Sequence, residues 1–432
     1  MKTVRRVAIL GGNRIPFARQ NTAYAELGNL EMFTAALQGL VERFGLQGER
    51  LGEVAGGAVL KHARDANIAR EATLSSGLSP RTPAYDVQQA CATSLESALL
   101  VANKIALGQI ESGVAGGVDS ASDAPIALSD RLRKLILRYK RARTGGERFK
   151  LLTELRPSLF RLAIPNVNER RTGMSMGEHT ERMVKQWQIS REAQDQLALA
   201  SHLNGAKAYA RGFFDDLMTP FAGLSRDNNL RADTSLEKLS RLRPAFDKSS
   251  GQGRLTAGNS TPLTDGAAAV LLASEDWARA RGLEPLAWLV DGEAAAVDFF
   301  GPQAEGLLMA PTHAVPRLLA RNGLRLQDFD YYEIHEAFAG QVLCTLKAWE
   351  DEDYCKTVLG IAGALGSIDR SKLNVNGGSV GLGHPFAATG ARILASAAKQ
   401  LAEHRARTGR SGRTLISICA AGGLGLTAVI EA

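Results

Sequence analysis

Apolar positions along the chain switch between two periods. Val4 to Gly12, Val54 to Leu60 and Ala84 to Val87 are short apolar runs that read as strands, while Leu30 to Phe44 and Ala66 to Gly77 carry apolar residues at helical spacing. Gly77, followed by Pro80, stops the second helix. From Pro83 to Asp119 the pattern gives strand, small-residue turn, helix and strand in one piece. Within Ser94 to Leu107, residues Leu95, Ala98, Leu99, Ala102 and Ile105 share one face, and most of the remainder is apolar too. That predicts a buried helix. Strands alternating with helices predict an α/β fold, a mixed sheet covered by helices on both faces.

The pattern changes after Asp123. Arg131 to Arg171 holds thirteen Lys or Arg against three Glu, with Leu and Ile interleaved at helical spacing, and Gly145, Gly146 and Pro157 interrupt it. Two short helices joined by a turn are expected, inserted into the layered core rather than part of it. Such a segment suits a solvated helix pair, partner docking, an anionic membrane surface or the steering of an anionic substrate. It lacks the motif and the interleaved aromatics that nucleic-acid binding would call for. Glu178 to Gly212 then reads as helix, Arg241 to Thr264 as loop, and Gly266 opens a strand.

A second alternation starts at Leu286, with WLVDGEAAAV, DYYEIHEAFAG, a helix through Trp349, LNVNGG, a long Ala-rich helix, and TLISICAAGG. Each half brings a strand into a small-residue turn, follows it with a buried helix, and closes on a strand ending in AGG. A repeat this long predicts duplicated α/β units rather than a solenoid. The division expected is 1–127 completed by 251–284, an insertion over 128–250, and a second half over 285–432. At 432 residues the chain exceeds what one core usually organises, which agrees.

Composition narrows the picture further. The four cysteines, Cys91, Cys344, Cys355 and Cys419, form no CxxC pair and no regular spacing, so neither a disulfide framework nor a zinc site is expected. Free thiols, and an N-terminal apolar run too short for a signal peptide, predict a cytoplasmic protein. No apolar run is long enough to span a membrane. The net charge of +7 favours acidic partners.

Candidate chemistry lies in the turns. Cys91 falls at the first turn of the predicted buried helix, where unpaired N–H groups and the helix dipole favour the thiolate. It reads either as a nucleophile or as a small hydrophobe filling a gap. His384, in GLGHPFAATG just before a helix, could take a proton from Cys91 or serve as a structural group. His335 lies between two glutamates at a strand end. Cys419 precedes glycine-rich backbone whose N–H groups could bind an oxyanion. GLGLTA from Gly423 lacks the following helix that a dinucleotide site requires.

Taken together, ACATS around Cys91, HEAFA from His335, NGGSVGLGHPFAATGAR and the C-terminal CAAGGLG, supported by TAGNSTPLTDGAAAV, resemble the thiolase family over almost the whole chain. HEAFA in place of the commoner NEAFA, with the basic insertion, is more similar to the thiolase subunit of fatty-acid β-oxidation complexes. The resemblance implies a thiolase fold of two α/β halves packed back to back in α-β-α-β-α layers, forming a homodimer or higher oligomer. It also implies acetyl-CoA C-acyltransferase activity, with coenzyme A as a substrate rather than a resident cofactor and with no metal.

Residue by residue, it makes Cys91 the nucleophile, His384 its base and Cys419 the second acid/base. His335 would support the thioester oxyanion, and the N–H groups of Cys91 and Ala421 would form a second oxyanion hole. Ser260 and Thr261 would touch the pantetheine arm, Met176 would line the acyl tunnel, and basic residues near the insertion would hold the phosphorylated adenosine. Ala421 replaces a glycine, so its N–H serves only if the residue avoids positive φ. Ala387 likewise replaces a glycine beside His384. The alternatives are a ketosynthase-like condensing enzyme, or a non-catalytic lipid-binding scaffold; a hydratase/dehydrogenase subunit or an anionic membrane are the partners the insertion suggests.

Overall fold

The computed structural model describes residues 4–163, 165 and 168–432; Met1–Thr3, at the start of the predicted first segment, and Ile164, Asn166 and Val167 of the insertion lie outside the described residues. The principal strands are β1 (Val7–Arg14), β2 (Glu53–Gly56), β3 (Ala84–Asp86), β4 (Ser112–Asp119), β5 (Thr264–Ser274), β6 (Ala287–Ala296), β7 (Tyr331–Ile334), β8 (Arg413–Ala420) and β9 (Leu424–Glu431). They lie in the order β7-β8-β9-β6-β1-β5-β4-β2-β3.

Read inward from the outer edges to the central seam, the two halves repeat one topology. In the first, parallel β3, β2 and β4 are followed by antiparallel β5 and β1. In the second, Leu373 makes a single parallel bridge to Tyr332, and β7, β8, β9 and β6 follow in the matching places. The strand expected at LNVNGG is therefore reduced to one bridge. The halves join edge to edge where Val7, Ala8 and Ile9 pair with Leu289, Trp288 and Ala287.

Side chains on β5 explain its uninterrupted apolar sequence. Ala268, Val270 and Leu272 face one core, and Ala267, Ala269 and Leu271 face another, so both faces are buried. Helix α1 (Asn29–Arg43) covers the outer face of the first half. Between the halves lie α2 (Thr93–Ala106) and, near the C-terminus, a long helix over Thr389–Thr408. Leu95, Ala98 and Val101 meet Ile393, Leu394 and Ala397 in this central layer. The result is the five-layer α-β-α-β-α arrangement. The two helices approach closely at their N-termini: a Cβ on Gly390 would lie 2.4 Å from the Leu95 nitrogen, and the Ala391 N–H donates to Ser94 Oγ at 2.8 Å.

The insertion follows β4. It contains α3 (Asp130–Arg141), capped by Ser129, then α4 (Gly145–Leu152), whose Thr144–Glu147 capping box starts it. These are the two short helices the charge pattern predicts. The helix expected over Glu178 to Gly212 is instead two, α5 (Met176–Gln186) and α6 (Arg191–Ala210), because Gln188 turns with φ 52° and Ser190 caps a new start. The strand expected to reach Leu60 ends at Gly56, and the chain turns so that the Val59 and Leu60 N–H groups both donate to Asp119 Oδ1. The outer face of the second half is covered by α7 (Pro311–Asn322), which the sequence reading missed, and α8 (Ala339–Glu350). The Thr389–Thr408 helix is α9.

Candidate active site

Both turns that enter the central layer carry a reactive side chain. Cys91 sits in a 3₁₀ turn, Ala90–Ala92, immediately before α2, and Ala90 is held at φ 48° in the sparsely populated left-handed region. Thr93 secures that turn by donating to the Ala90 carbonyl at 2.8 Å while accepting from the Gln89 N–H at 2.9 Å. His384 precedes the matching turn into α9. Its N–H donates to Thr264 Oγ1 at 2.7 Å, its Nδ1 lies 2.6 Å from Thr389 Oγ1, and its Nε2 lies 3.1 Å from Cys91 Sγ.

Cys419, at the end of β8, and Ala421 line the same cavity of about 270 Å³ as Cys91 and His384. Thr261 and Met176 line it too. His335 follows β7, anchored by its N–H to the Ser417 carbonyl at 2.8 Å, with its ring centroid 4.1 Å from that of His384. Its Nδ1 meets Ser379 Oγ at 2.8 Å, whereas its Nε2 is buried without a partner among the described residues. One ligating atom each from Cys91, His335 and His384 fall within 4.8 Å of one another, the N/S set that suits a soft metal ion. All four cysteines are free thiols.

Burial sets the protonation states, and here one sequence expectation is corrected. Although N–H groups of Ala421 and Cys91 point at the sulfur, desolvation outweighs them and pushes the Cys91 thiol up to about 12. The resting group is a thiol, not the thiolate its place at a helix start predicts. Burial, with Arg392 nearby, pulls His384 down to about 3, so its resting imidazole is neutral and one ring nitrogen keeps a free lone pair. His335 is pushed well below its ordinary value by burial, and Cys419 well above its own. Ala421 stays out of positive φ, which Gly422 and Gly423 take up, so its N–H remains available.

A second cavity of about 530 Å³ meets the first at Phe246, Thr261 and Pro262, and Arg19, Arg231 and Lys238 line it. Ser260 also lines it, its hydroxyl buried and without a partner among the described residues. These cations come from the start of the chain and from the stretch after α6, where Arg231 is in a loop and Lys238 in a short helix, Leu236–Ser240, not from the Arg131–Arg161 segment, and no local motif marks them. On the other side of Cys91, a space of about 170 Å³ is bounded by Leu60, Met176, Phe386 and Glu169. Sequence reading also passed over Ser379, Thr389 and Arg392, although all three lie inside the quoted NGGSVGLGHPFAATGAR stretch.

A cysteine facing a neutral imidazole, a second thiol in the same cavity, and inward N–H groups on a duplicated five-layer fold define an enzyme built for acyl transfer through sulfur. Comparison with known proteins gives the family. A model described as "Thiolase, N-terminal domain" matches residues 7–276, and "Thiolase, C-terminal domain" matches 283–432. A 3-ketoacyl-CoA thiolase of Pectobacterium carotovorum is 44% identical, covering 99% of this chain and 96% of that one; one of Photorhabdus laumondii is 41% identical, covering 99% and 97%. The crystal structure of the Bacillus anthracis acetyl-CoA acetyltransferase superposes with a TM-score of 0.80 at 32% identity over the full length of both chains. The Ascaris suum Acat5 thiolase, in complex with coenzyme A, gives 0.80 at 26% identity over 99% and 100%. The chain belongs to the thiolase family and is an acyltransferase.

Proposed function

We propose that this thiolase cleaves 3-ketoacyl-CoA with coenzyme A, giving acetyl-CoA and a shortened acyl-CoA, and that it runs in reverse as a Claisen condensation. The observation that carries the reading is the 3.1 Å contact between Cys91 Sγ and neutral His384 Nε2 at the cavity floor. His384 takes the thiol proton, and the thiolate attacks the 3-keto carbonyl, whose developing oxyanion the N–H groups of Cys91 and Ala421 receive. The carbon–carbon bond then breaks, its electron pair passing to the acetyl thioester as an enolate. His335 and His384 hold that thioester oxygen. Cys419, kept protonated by burial, gives its proton to the α-carbon and releases acetyl-CoA. Coenzyme A enters, loses its thiol proton to Cys419 and attacks the acyl-cysteine; Cys91 then recovers its proton from His384. Each acid/base partner contributes roughly 10²–10⁴-fold.

Arg19, Arg231 and Lys238 suit the phosphates of coenzyme A, with Ser260 and Thr261 along the pantetheine and Met176 beside the acyl group. A condensing enzyme of the ketosynthase type would have no use for Cys419 in this cavity, which favours the thiolase reading. A non-catalytic scaffold would have no use for the aligned pair. Mass spectrometry after adding 3-ketoacyl-CoA without coenzyme A tests it. We expect an acyl adduct on Cys91 and none on Cys91→Ala; turnover that persists in Cys91→Ala would overturn the reading.

The insertion supports a finer proposal, docking on an anionic membrane surface. Leu132, Leu135, Ile136, Leu151, Leu155 and Phe160 line an apolar groove of about 470 Å³ beside α3 and α4, with Phe160 60% exposed. Arg131, Lys140, Arg141, Lys150 and Arg161 make no ion pair among the described residues, leaving their charge for lipid phosphate. No helix among the described residues is long and apolar enough to cross a membrane, so contact would be peripheral. Vesicles containing phosphatidylglycerol should pull down the wild type but not Ile136→Asp, with turnover unchanged. Association with a hydratase/dehydrogenase subunit but no vesicle binding would reject the lipid surface. A cytoplasmic homodimer belongs to the same reading, supported by the free thiols, and sedimentation velocity tests the dimer.

A further inference from the structure

The two histidines of the pocket differ in how their Nδ1 atoms are held. Ser379 Oγ receives a hydrogen bond from Arg392 Nη2 at 2.8 Å and also contacts His335 Nδ1 at 2.8 Å. All three residues are buried, and the Ser379 side chain touches no other polar group among the described residues. A guanidinium has donors only. It therefore takes one lone pair of Ser379 in every protonation state of the site. If His335 also presented an Nδ1–H, the serine oxygen would face two donors and its own hydrogen would have no acceptor, an arrangement that buried groups avoid. The consistent arrangement runs Arg392 N–H to Ser379, Ser379 O–H to His335 Nδ1. The ring proton is left on Nε2, the buried atom with no partner among the described residues.

At His384 the same position is held by Thr389, whose hydroxyl meets no second donor among the described residues. That hydroxyl can donate or accept, so His384 can carry a proton on Nδ1, on Nε2 or on both.

We propose that Arg392, acting through Ser379, is a positioning residue that locks His335 in the Nε2–H tautomer, making it a standing donor to the thioester oxygen while His384 stays free to take and return a proton. This rests on the proposed role of His335 at the thioester oxyanion. Two buried histidines four ångströms apart thus divide the work by what lies behind them. The buried positive charge of Arg392 opposes protonation of both rings alike, so what distinguishes them is the hydrogen bond through Ser379 and not that charge.

Ser379→Ala tests the relay without removing the buried cation. Losing one oxyanion donor typically costs about 10²–10³-fold in kcat. We expect Ser379→Ala to lower kcat on the order of 10²-fold with KM little changed, and Ser379→Thr, which keeps the hydroxyl, to restore most of it. In ¹⁵N-histidine NMR spectra of the full chain, His335 should report protonated Nε2 in the wild type and a tautomer mixture in Ser379→Ala. His335→Asn supplies an amide donor that needs no tautomer control. Removing Ser379 in that background should therefore cost little. A His335 resonance with protonated Nδ1 in the wild type, or an undiminished Ser379→Ala loss in the His335→Asn background, would overturn the relay. Acyl-Cys91 formation, read in the same samples, separates that outcome from failure of the thiolase reading itself.

Discussion

The Cys91 turn and the His384 turn occupy matching places in the two halves, yet the fold treats their side chains differently. His384 is buried, with its backbone tied to Thr264 and its ring to Thr389, so its orientation is set before substrate arrives. Cys91 is only partly buried, and among the described residues His384 is the one side chain that hydrogen-bonds its sulfur. The strain sits in the backbone beneath it, at Ala90. A nucleophile must move through several bonding partners in one cycle, whereas its base must present one nitrogen each time. Duplicated elements supply two equivalent seats, and the local hydrogen bonds decide which is fixed and which is free.

Removing the fixed partner gives the larger of two effects on this pair. His384→Gln keeps a polar group of similar reach but no proton acceptor of matching basicity, and kcat should fall about 10²–10⁴-fold. Stopped-flow measurement should find both acylation of Cys91 and its release by coenzyme A slowed. Loss confined to one half-reaction would mean that His384 does not return the proton. Thr389→Val, near in shape but without the hydroxyl, removes only the hydrogen bond that orients the ring. A net contribution near 1 kcal/mol for such a bond corresponds to a loss of about 5-fold to 10-fold. An equal loss in both variants would place the control at Thr389 and erase the distinction between a chemical group and its support.

How much of this was legible in the chain depends on whether the determining contacts are local. The strands and α1 follow from local period, and β5 reads as continuously apolar because both of its faces are covered. The four residues proposed to be catalytic, Cys91, His335, His384 and Cys419, stand in short motifs where glycine, proline and small residues announce turns. The state of Cys91 was not legible, since helix-start position argues for a thiolate and the desolvation that reverses it comes from strands and loops far along the chain. Nor was the break at Trp187–Ser190, where nothing but a serine cap and one left-handed residue divides a continuous helical pattern. Arg19, Arg231 and Lys238 share a cavity wall only through tertiary folding. Ser379 and Arg392 were visible as letters, but their meaning lies in a hydrogen bond across one turn and a helix.

The smallest expected effect concerns stability, and it separates the buried base from the carboxyls around it. His384 is held down to about 3 against an ordinary 6.5. Above pH 6.5 the ring is neutral in both folded and unfolded chains, so its stabilisation is complete. As pH falls from 6.5 toward 3, the unfolded chain binds a proton that the folded chain refuses, and stability is lost. Asp119 and Glu333, raised by burial to about 7 and about 8, work in the opposite direction: the folded chain keeps protons that the unfolded chain releases, and that contribution disappears as pH rises through those values. The wild-type profile mixes these slopes, and His384→Gln removes one of them. The unfolding free energy of His384→Gln relative to wild type, from urea titrations, should therefore shift in the variant's favour as pH drops below 6.5 and stay constant above it. A difference that does not change with pH would mean the histidine is charged or solvated in the folded chain, and the neutral pair with Cys91 would no longer stand.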